Sequence, residues 1–273
     1  MNLAMSNIAW SPSVDDQVGR VLRDAGVSGV EIAPTKVWPR PLDADPADVE
    51  EYRRGWDRRG FPIVALQALL FGQDDLRLFE DGDEGRVRMF RYLEGILELG
   101  ERLGVKVLVF GSPKARRREN LSIGEAIRIV GGFFRDAGEA AARRGECLCI
   151  EANPPEYGAD FIVNAKEAIN LVRLVDHPGF RLHLDTACMH LAGDDPPASI
   201  EVGASILRHF HVSERNLSPV SESRSPIEHA LAAEALRRVG YGGYVSVEMR
   251  AVAPEHQLEA VRRAAHFLKQ TYG

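Results

Sequence analysis

The chain is poor in several things whose scarcity narrows what it can be. It has only three cysteines in 273 residues, Cys147, Cys149 and Cys188. Two of them share one strand face and none stands at a metal-type spacing, so a disulfide framework and a thiolate zinc site are not expected, and a reducing cytoplasm is the simplest setting. No apolar run approaches the roughly 18 residues of a membrane span. The first residues open into a strand pattern with no charged and then apolar leader before it, so no membrane association is expected. Positive charge is in deficit: 34 Lys and Arg against 40 Asp and Glu give a net charge of -6. That sign is wrong for a phosphate-backbone partner, and no nucleic acid is expected. No Gly-rich turn follows the first strand pattern, as a dinucleotide-binding sheet would require. No low-complexity linker divides the chain, and no histidine precedes His177.

What is present is regular alternation. A hydrophobic fraction of 45% is enough for a sizeable core. Strand-like runs fall near residues 3–9, 29–33, 62–68, 105–110, 147–152, 181–185, 207–212 and 244–249. Between them, segments such as VDDQVGRVLRDAG, PADVEEYRRGWDRRG, EGRVRMFRYLEGILELGERLG and IGEAIRIVGGFFRDAGEAAARRG carry apolar residues at three and four spacing and finish at a glycine. NAKEAINLVRLV, PIEHALAAEALRRVG and PEHQLEAVRRAAHFLKQ continue the series, and the sixth connection is broken in two by DDPPAS. Eight strand-helix repeats predict an α/β fold, a closed (β/α)8 TIM barrel in one domain over 1–273. An open doubly wound sheet is the alternative.

Four of the runs end in a side chain able to hold a metal: Glu151 in CLCIE, Asp185 in LHLD, His211 in RHFH and Glu248 in VSVE. Their neighbours at odd offsets are apolar, from Leu148 and Ile150 to Val245 and Val247. Strand side chains alternate faces, so one face is greasy and the other carries the ligand. Cys149, His183, His209 and Ser246, two residues earlier, share the ligand face and form a layer beneath it. Taken singly, a strand-end Asp or His reads equally as a helix N-cap or a satisfied core group. Taken together, three carboxylates and an imidazole at the C-terminal mouth of a barrel would repel unless a cation sat among them. One divalent ion is therefore expected on Glu151, Asp185, His211 and Glu248. Oxygen ligands with one imidazole and no thiolate favour Mn2+ first, then Mg2+, Co2+ or Zn2+.

IEANPPEYGADF (150–161), HLDTACMHLAG (183–193), HFHVSE (209–214), GYGGYVSVEM (240–249) and the N-terminal SNIAW and VEIAPTKVWP resemble the xylose isomerase-like barrels, which include sugar phosphate isomerases and ketose 3-epimerases. The resemblance covers nearly the whole chain. It implies that Glu151, Asp185, His211 and Glu248 bind one metal and that Glu151 and Glu248 also act as acid and base. Many members carry a His three residues after the Asp. Here that place is Cys188, with His190 two further on.

The chemistry expected of such a site is proton abstraction by a carboxylate, through a metal-stabilised enediolate, from a carbon beside a carbonyl. Return of the proton to the opposite face gives an epimer, and return to the adjacent carbon gives an aldose-ketose isomer. The expected function is a sugar or sugar phosphate isomerase or epimerase, with a lyase or dehydratase on a related polyol or keto-sugar as the alternative. An abasic-site endonuclease on the same barrel needs histidines from earlier strands, and a non-catalytic sugar-binding barrel would not need two opposed glutamates. A small carbohydrate is the expected partner, and a homo-oligomer is compatible with the sequence. Expected substrate contacts are Trp10 and Trp38 as aromatic walls, Lys36 and Arg215 as anion holders, and the inward Glu31 and Gln67. Asn153, Glu156 and Tyr157 beside Glu151, together with His183 and His190, complete that set. KARRR at 114–118 reads as a solvated loop or a phosphate-facing run.

Overall fold

A computed structural model of the chain describes residues 1–80, 82–220 and 225–273. Eight parallel strands close into a barrel in sequence order. They are β1 (Asn2–Ser6), β2 (Gly29–Ile32), β3 (Ile63–Leu66), β4 (Val107–Phe110), β5 (Cys147–Glu151), β6 (Phe180–Asp185), β7 (Leu207–Val212) and β8 (Tyr244–Val247). β1 pairs with β8, Ala4 opposite Ser246, so the sheet has no free edge and the open alternative is excluded. Between and after the strands run α1 (Asp15–Asp24), α2 (Pro34–Val37), α3 (Pro46–Arg59), α4 (Gly82–Leu103), α5 (Ile123–Arg143), α6 (Ala165–Val175), α7 (Thr186–Ala192), α8 (Pro196–Gly203), α9 (His229–Arg238) and α10 (Gln257–Tyr272). No helix among the described residues is long and apolar enough to cross a membrane.

Local chemistry sets many of these boundaries. Ser122 and Glu125 form a reciprocal capping box that starts α5. Asn164 caps α6 through the Glu167 amide, and Asp45 caps α3, which ends at Gly60 in a left-handed conformation, φ 87°. The break in the sixth connection is real: α7 ends at Gly193, and Asp195 caps α8. Several strands are shorter than their patterns, and β1 and β3 stop well before the pattern ends. β1 stops at Ser6, where a 3-10 turn over Asn7–Ala9 begins. β3 stops at Leu66, and Ala68 just beyond it has φ 52°.

The outward faces of the strands carry the packing against the helices. Leu148, Ile150, Leu182, Leu184, Phe210, Val212, Val245 and Val247 are all buried there, each worth about 1.5 to 3 kcal/mol on transfer from water. Inside the barrel the filling is divided. Ala4, Val64, Ala65, Val107, Val109, Cys147 and Cys149 make an apolar half. Glu31, His183, His209, His211 and Ser246, all buried, make the other, polar half. Cys149 thus belongs to the apolar half, with its sulfur 3.8 Å from that of Cys147, and not to the polar layer of its strand phase.

Candidate metal centre and active site

The register brings the four strand-end groups to one place. Across adjacent strands Glu151 stands opposite His183, and Asp185 opposite His211. Glu248, one residue past β8, is held by its amide to the Val212 carbonyl at 3.0 Å. One ligating atom from each of Glu151, Asp185, His211 and Glu248 lies within 4.8 Å of the others. Asp185 is oriented twice: Oδ1 accepts from the Cys188 amide at 2.7 Å as the cap of α7, and Oδ2 accepts from the Ser213 hydroxyl at 2.6 Å.

His211 is fixed from below. Its Nε2 is 2.9 Å from Glu31, which also accepts from the Ser246 hydroxyl at 2.7 Å and lies 3.2 Å from His209 Nε2. With Nε2 committed to Glu31, the other nitrogen, Nδ1, faces Glu248 at 3.3 Å, buried and without an aligned hydrogen-bond partner. A buried ring nitrogen with no aligned hydrogen bond, set among three carboxylates, fits the position of a metal ligand. The donor set and the orphaned nitrogen both fit a divalent cation. Glu31, expected among the substrate contacts, is wholly buried beneath His211 and is not among the residues lining the cavity. His183 is likewise buried in that layer, with Nε2 3.5 Å from Glu151.

The protein groups alone carry unbalanced charge. Burial pushes the Glu248 carboxyl up to about 7, with Glu151 and Asp185 adding to the rise. Burial, with Glu151 next, also raises Asp185. Burial opposes a charged His211, yet the Glu31 and Glu248 carboxylates outweigh it and hold the ring well above its ordinary value. Burial, then Asp185 and Glu151, keeps the Cys188 thiol well above its usual range, so no thiolate joins the set.

Above the quartet opens a cavity of about 540 Å3, within the usual size for a small-ligand site. Glu151, His211 and Glu248 lie on its floor, and Gln67 and Tyr157 are on its walls. The Tyr157 hydroxyl accepts from the Asn216 amide at 3.0 Å, linking the loops after β5 and β7. Asn153 is buried behind Glu151 and donates to its Oε2 at 2.8 Å.

The other expected contacts lie elsewhere. Trp10 is in the packed core, edge-on to Trp56 and donating to Asp15 at 2.7 Å, with no surface left to face a sugar. Trp38 packs edge-on to Tyr52, and the Lys36 ammonium is drawn to the Trp10 carbonyl at 2.9 Å. Glu156 and Arg215 are exposed, His190 is half-buried, and none of the three lines the cavity.

Three contributors escaped sequence reasoning. Arg116 is wholly buried, its Nη2 donating to the Glu151 carbonyl at 2.7 Å and to Asn153 Oδ1 at 2.6 Å, and burial lowers it to about 10. Nothing in KARRR distinguishes it from its neighbours. Gly111 passes so close to Glu151 that a Cβ there would meet Oε2 at 2.3 Å. Ser213 does carry a signal, since it follows His211 by two and continues the inward phase.

A closed barrel with four potential metal-binding groups converging at the C-terminal ends of β5 to β8 defines a (β/α)8 protein with a candidate metal site. The chain belongs to the xylose isomerase-like TIM barrel family, whose model matches residues 20–271. It is 31% identical over 116 residues to D-psicose 3-epimerase of Ruminiclostridium cellulolyticum, a match covering 42% of this chain and 38% of that relative's length. The D-psicose 3-epimerase structure with D-tagatose from Clostridium cellulolyticum H10 superposes with a TM-score of 0.81 at 17% identity, over 100% of this chain and 99% of that one. The 3-keto-D-glucoside 4-epimerase of E. coli gives 0.81 at 21%, over 99% of each. The IOLI protein, solved with a zinc atom, gives 0.79 at 18%, over 100% of this chain and 99% of that one.

Proposed function

We propose that the chain is a divalent-metal-dependent epimerase or isomerase of a sugar or sugar phosphate, working as one barrel domain. The reading is carried by one observation: Glu151 and Glu248 belong to the same ligand quartet and face the same cavity from β5 and from the end of β8. The partial match to D-psicose 3-epimerase supports it. Glu151, Asp185, His211 and Glu248 hold the ion, Mn2+ in first place, with Zn2+ given weight by the zinc in the IOLI structure. A divalent cation bound there polarises a carbonyl and its neighbouring hydroxyl and so acidifies the carbon-bound proton.

The remaining work falls to the chain. One glutamate takes the proton and the other returns one to the opposite face. The raised Glu248 carboxyl is poised near neutral pH for either duty. Asn153, braced by Arg116, and His183 keep Glu151 aimed into the cavity, while Glu31 fixes the ring of His211. Gln67 and Tyr157 are the substrate contacts retained from the sequence.

The test is a panel of ketoses, aldoses and their phosphates in deuterated water with the Mn2+-loaded protein. Deuterium uptake at a carbon beside the carbonyl, with inversion or isomerisation, is expected for at least one. Release of water or another leaving group without either product would replace this reading with a lyase.

A further inference from the structure

The floor and walls of the cavity differ in charge. Glu151 and Glu248 line the floor, whereas Arg77, Lys114 and Arg250 face the same space from the loops after β3, β4 and β8, with Asp74 the one carboxylate opposing them. Among the described residues no acceptor pairs with the Lys114 or Arg250 side chain. Arg77 reaches Glu80 only at 3.6 Å and is 24% exposed. The wall therefore presents a surplus of two positive charges to whatever fills the cavity. Lys114 and Arg250 are exposed at the rim and Arg77 is partly buried, and a neutral sugar seated beside them would offer no charge in return. A phosphate monoester carries about -1.5 to -2 at neutral pH and matches that surplus.

Resting on the epimerase reading, we propose that the substrate is an open-chain ketose bearing a terminal phosphate, held by Arg77 and Lys114 with Arg250 adding to the field. The placement follows from the barrel order. The quartet stands on β5 to β8, and the loops carrying Arg77 and Lys114 stand on β3 and β4. A substrate chelated through its carbonyl end thus extends its far end toward those two cations. Lys36 and Arg215, the anion holders expected from the sequence, do not line this cavity.

The Mn2+-loaded chain would be given D-fructose, D-fructose 6-phosphate and D-fructuronate in deuterated water, and binding of D-fructose 6-phosphate measured separately by calorimetry. The expected result is a kcat/KM for the phosphate at least about a hundredfold above the free ketose, shrinking as salt rises. Lys114→Ala and Arg77→Ala should each reduce the phosphate-to-neutral ratio tenfold or more, mainly through KM, and Lys114→Arg should restore much of it. Equal kcat/KM for phosphate and free ketose, or a preference for the uronate, would overturn the proposal while leaving the epimerase reading in place. Exchange with none of the three sugars would count against the epimerase reading. The calorimetry then decides the anion site alone: binding weakened at least tenfold by Lys114→Ala upholds it, and binding that is absent or indifferent to both substitutions overturns it.

Discussion

Glu31 shows how much of this site lies one layer below its ligands. Its carboxylate has no solvent contact, and two histidines and a serine surround it. Burial resists its charge, but His211 and His209 hold it well below its ordinary value. Partners that orient a metal-bound imidazole typically influence affinity by 10- to 100-fold. Glu31→Gln should therefore weaken Mn2+ binding by roughly that factor in a competitive titration. Unchanged affinity would mean that the ring of His211 is set by packing alone.

The pH dependence follows from the same groups. Glu248 is raised from an ordinary 4.5 to about 7. With respect to this group the fold is best off below pH 4.5, where the carboxyl is neutral folded or unfolded, and it loses that contribution as pH rises toward 7. A cation takes the ionised carboxylate and the neutral imidazole, so metal affinity runs the other way. The logarithm of Mn2+ affinity should climb by at least about one per pH unit below pH 7. Affinity flat between pH 5.5 and 7 would contradict the protonation states assigned to Glu248 and His211.

At the scale of elements, the loop after β4 supports the end of β5. Gly111 leaves room for the Glu151 carboxylate, which a Cβ would meet at 2.3 Å. A glutamate tip moves easily, so Gly111→Ala should change the melting temperature little while lowering activity tenfold or more and weakening the metal. A variant that loses stability and keeps activity would show that the contact matters for packing and not for aim. Arg116, from the same loop, is the opposite case. It is a buried cation anchored to the Glu151 carbonyl and Asn153, and leaving their acceptors unpaired carries a desolvation cost. Arg116→Met should destabilise the fold by about 1 to 3 kcal/mol in chemical denaturation.

These elements also show where the sequence was legible. All eight strands and the divided sixth connection followed from period and breakers, and the convergence of Glu151, Asp185, His211 and Glu248 was visible because each lies in phase at or just past a strand end. Arg116 and Gly111 were not, because their importance comes from which loop lies against Glu151, a relation between β4 and β5 that no local pattern encodes. Trp10 looked like an aromatic wall for the same reason: its position after β1 was readable, but its burial against Trp56 of α3 was not.

At the scale of the molecule, the polar half of the barrel interior is a region of unmet electrostatics that a cation would complete. Binding to the folded state alone contributes about 2.7 kcal/mol at a hundredfold excess over Kd, and 1 kcal/mol shifts the melting temperature of a chain of this size by about 2 to 4 °C. Mn2+ should thus raise the melting temperature by roughly 5 to 10 °C. Asp185→Ala should abolish most of that shift.

The central claim is that Glu151 and Glu248 act as opposed acid and base at a shared metal. It is tested most directly by following carbon-bound deuterium and stereochemistry together, for a substrate turned over by the wild type, in Glu151→Gln and Glu248→Gln proteins with metal content measured alongside. Turnover should fall by roughly a hundredfold or more in each, with much smaller metal loss. One variant should still exchange the substrate proton with solvent while failing to invert the centre. Near wild-type turnover in both variants, with the metal still bound, would contradict the account.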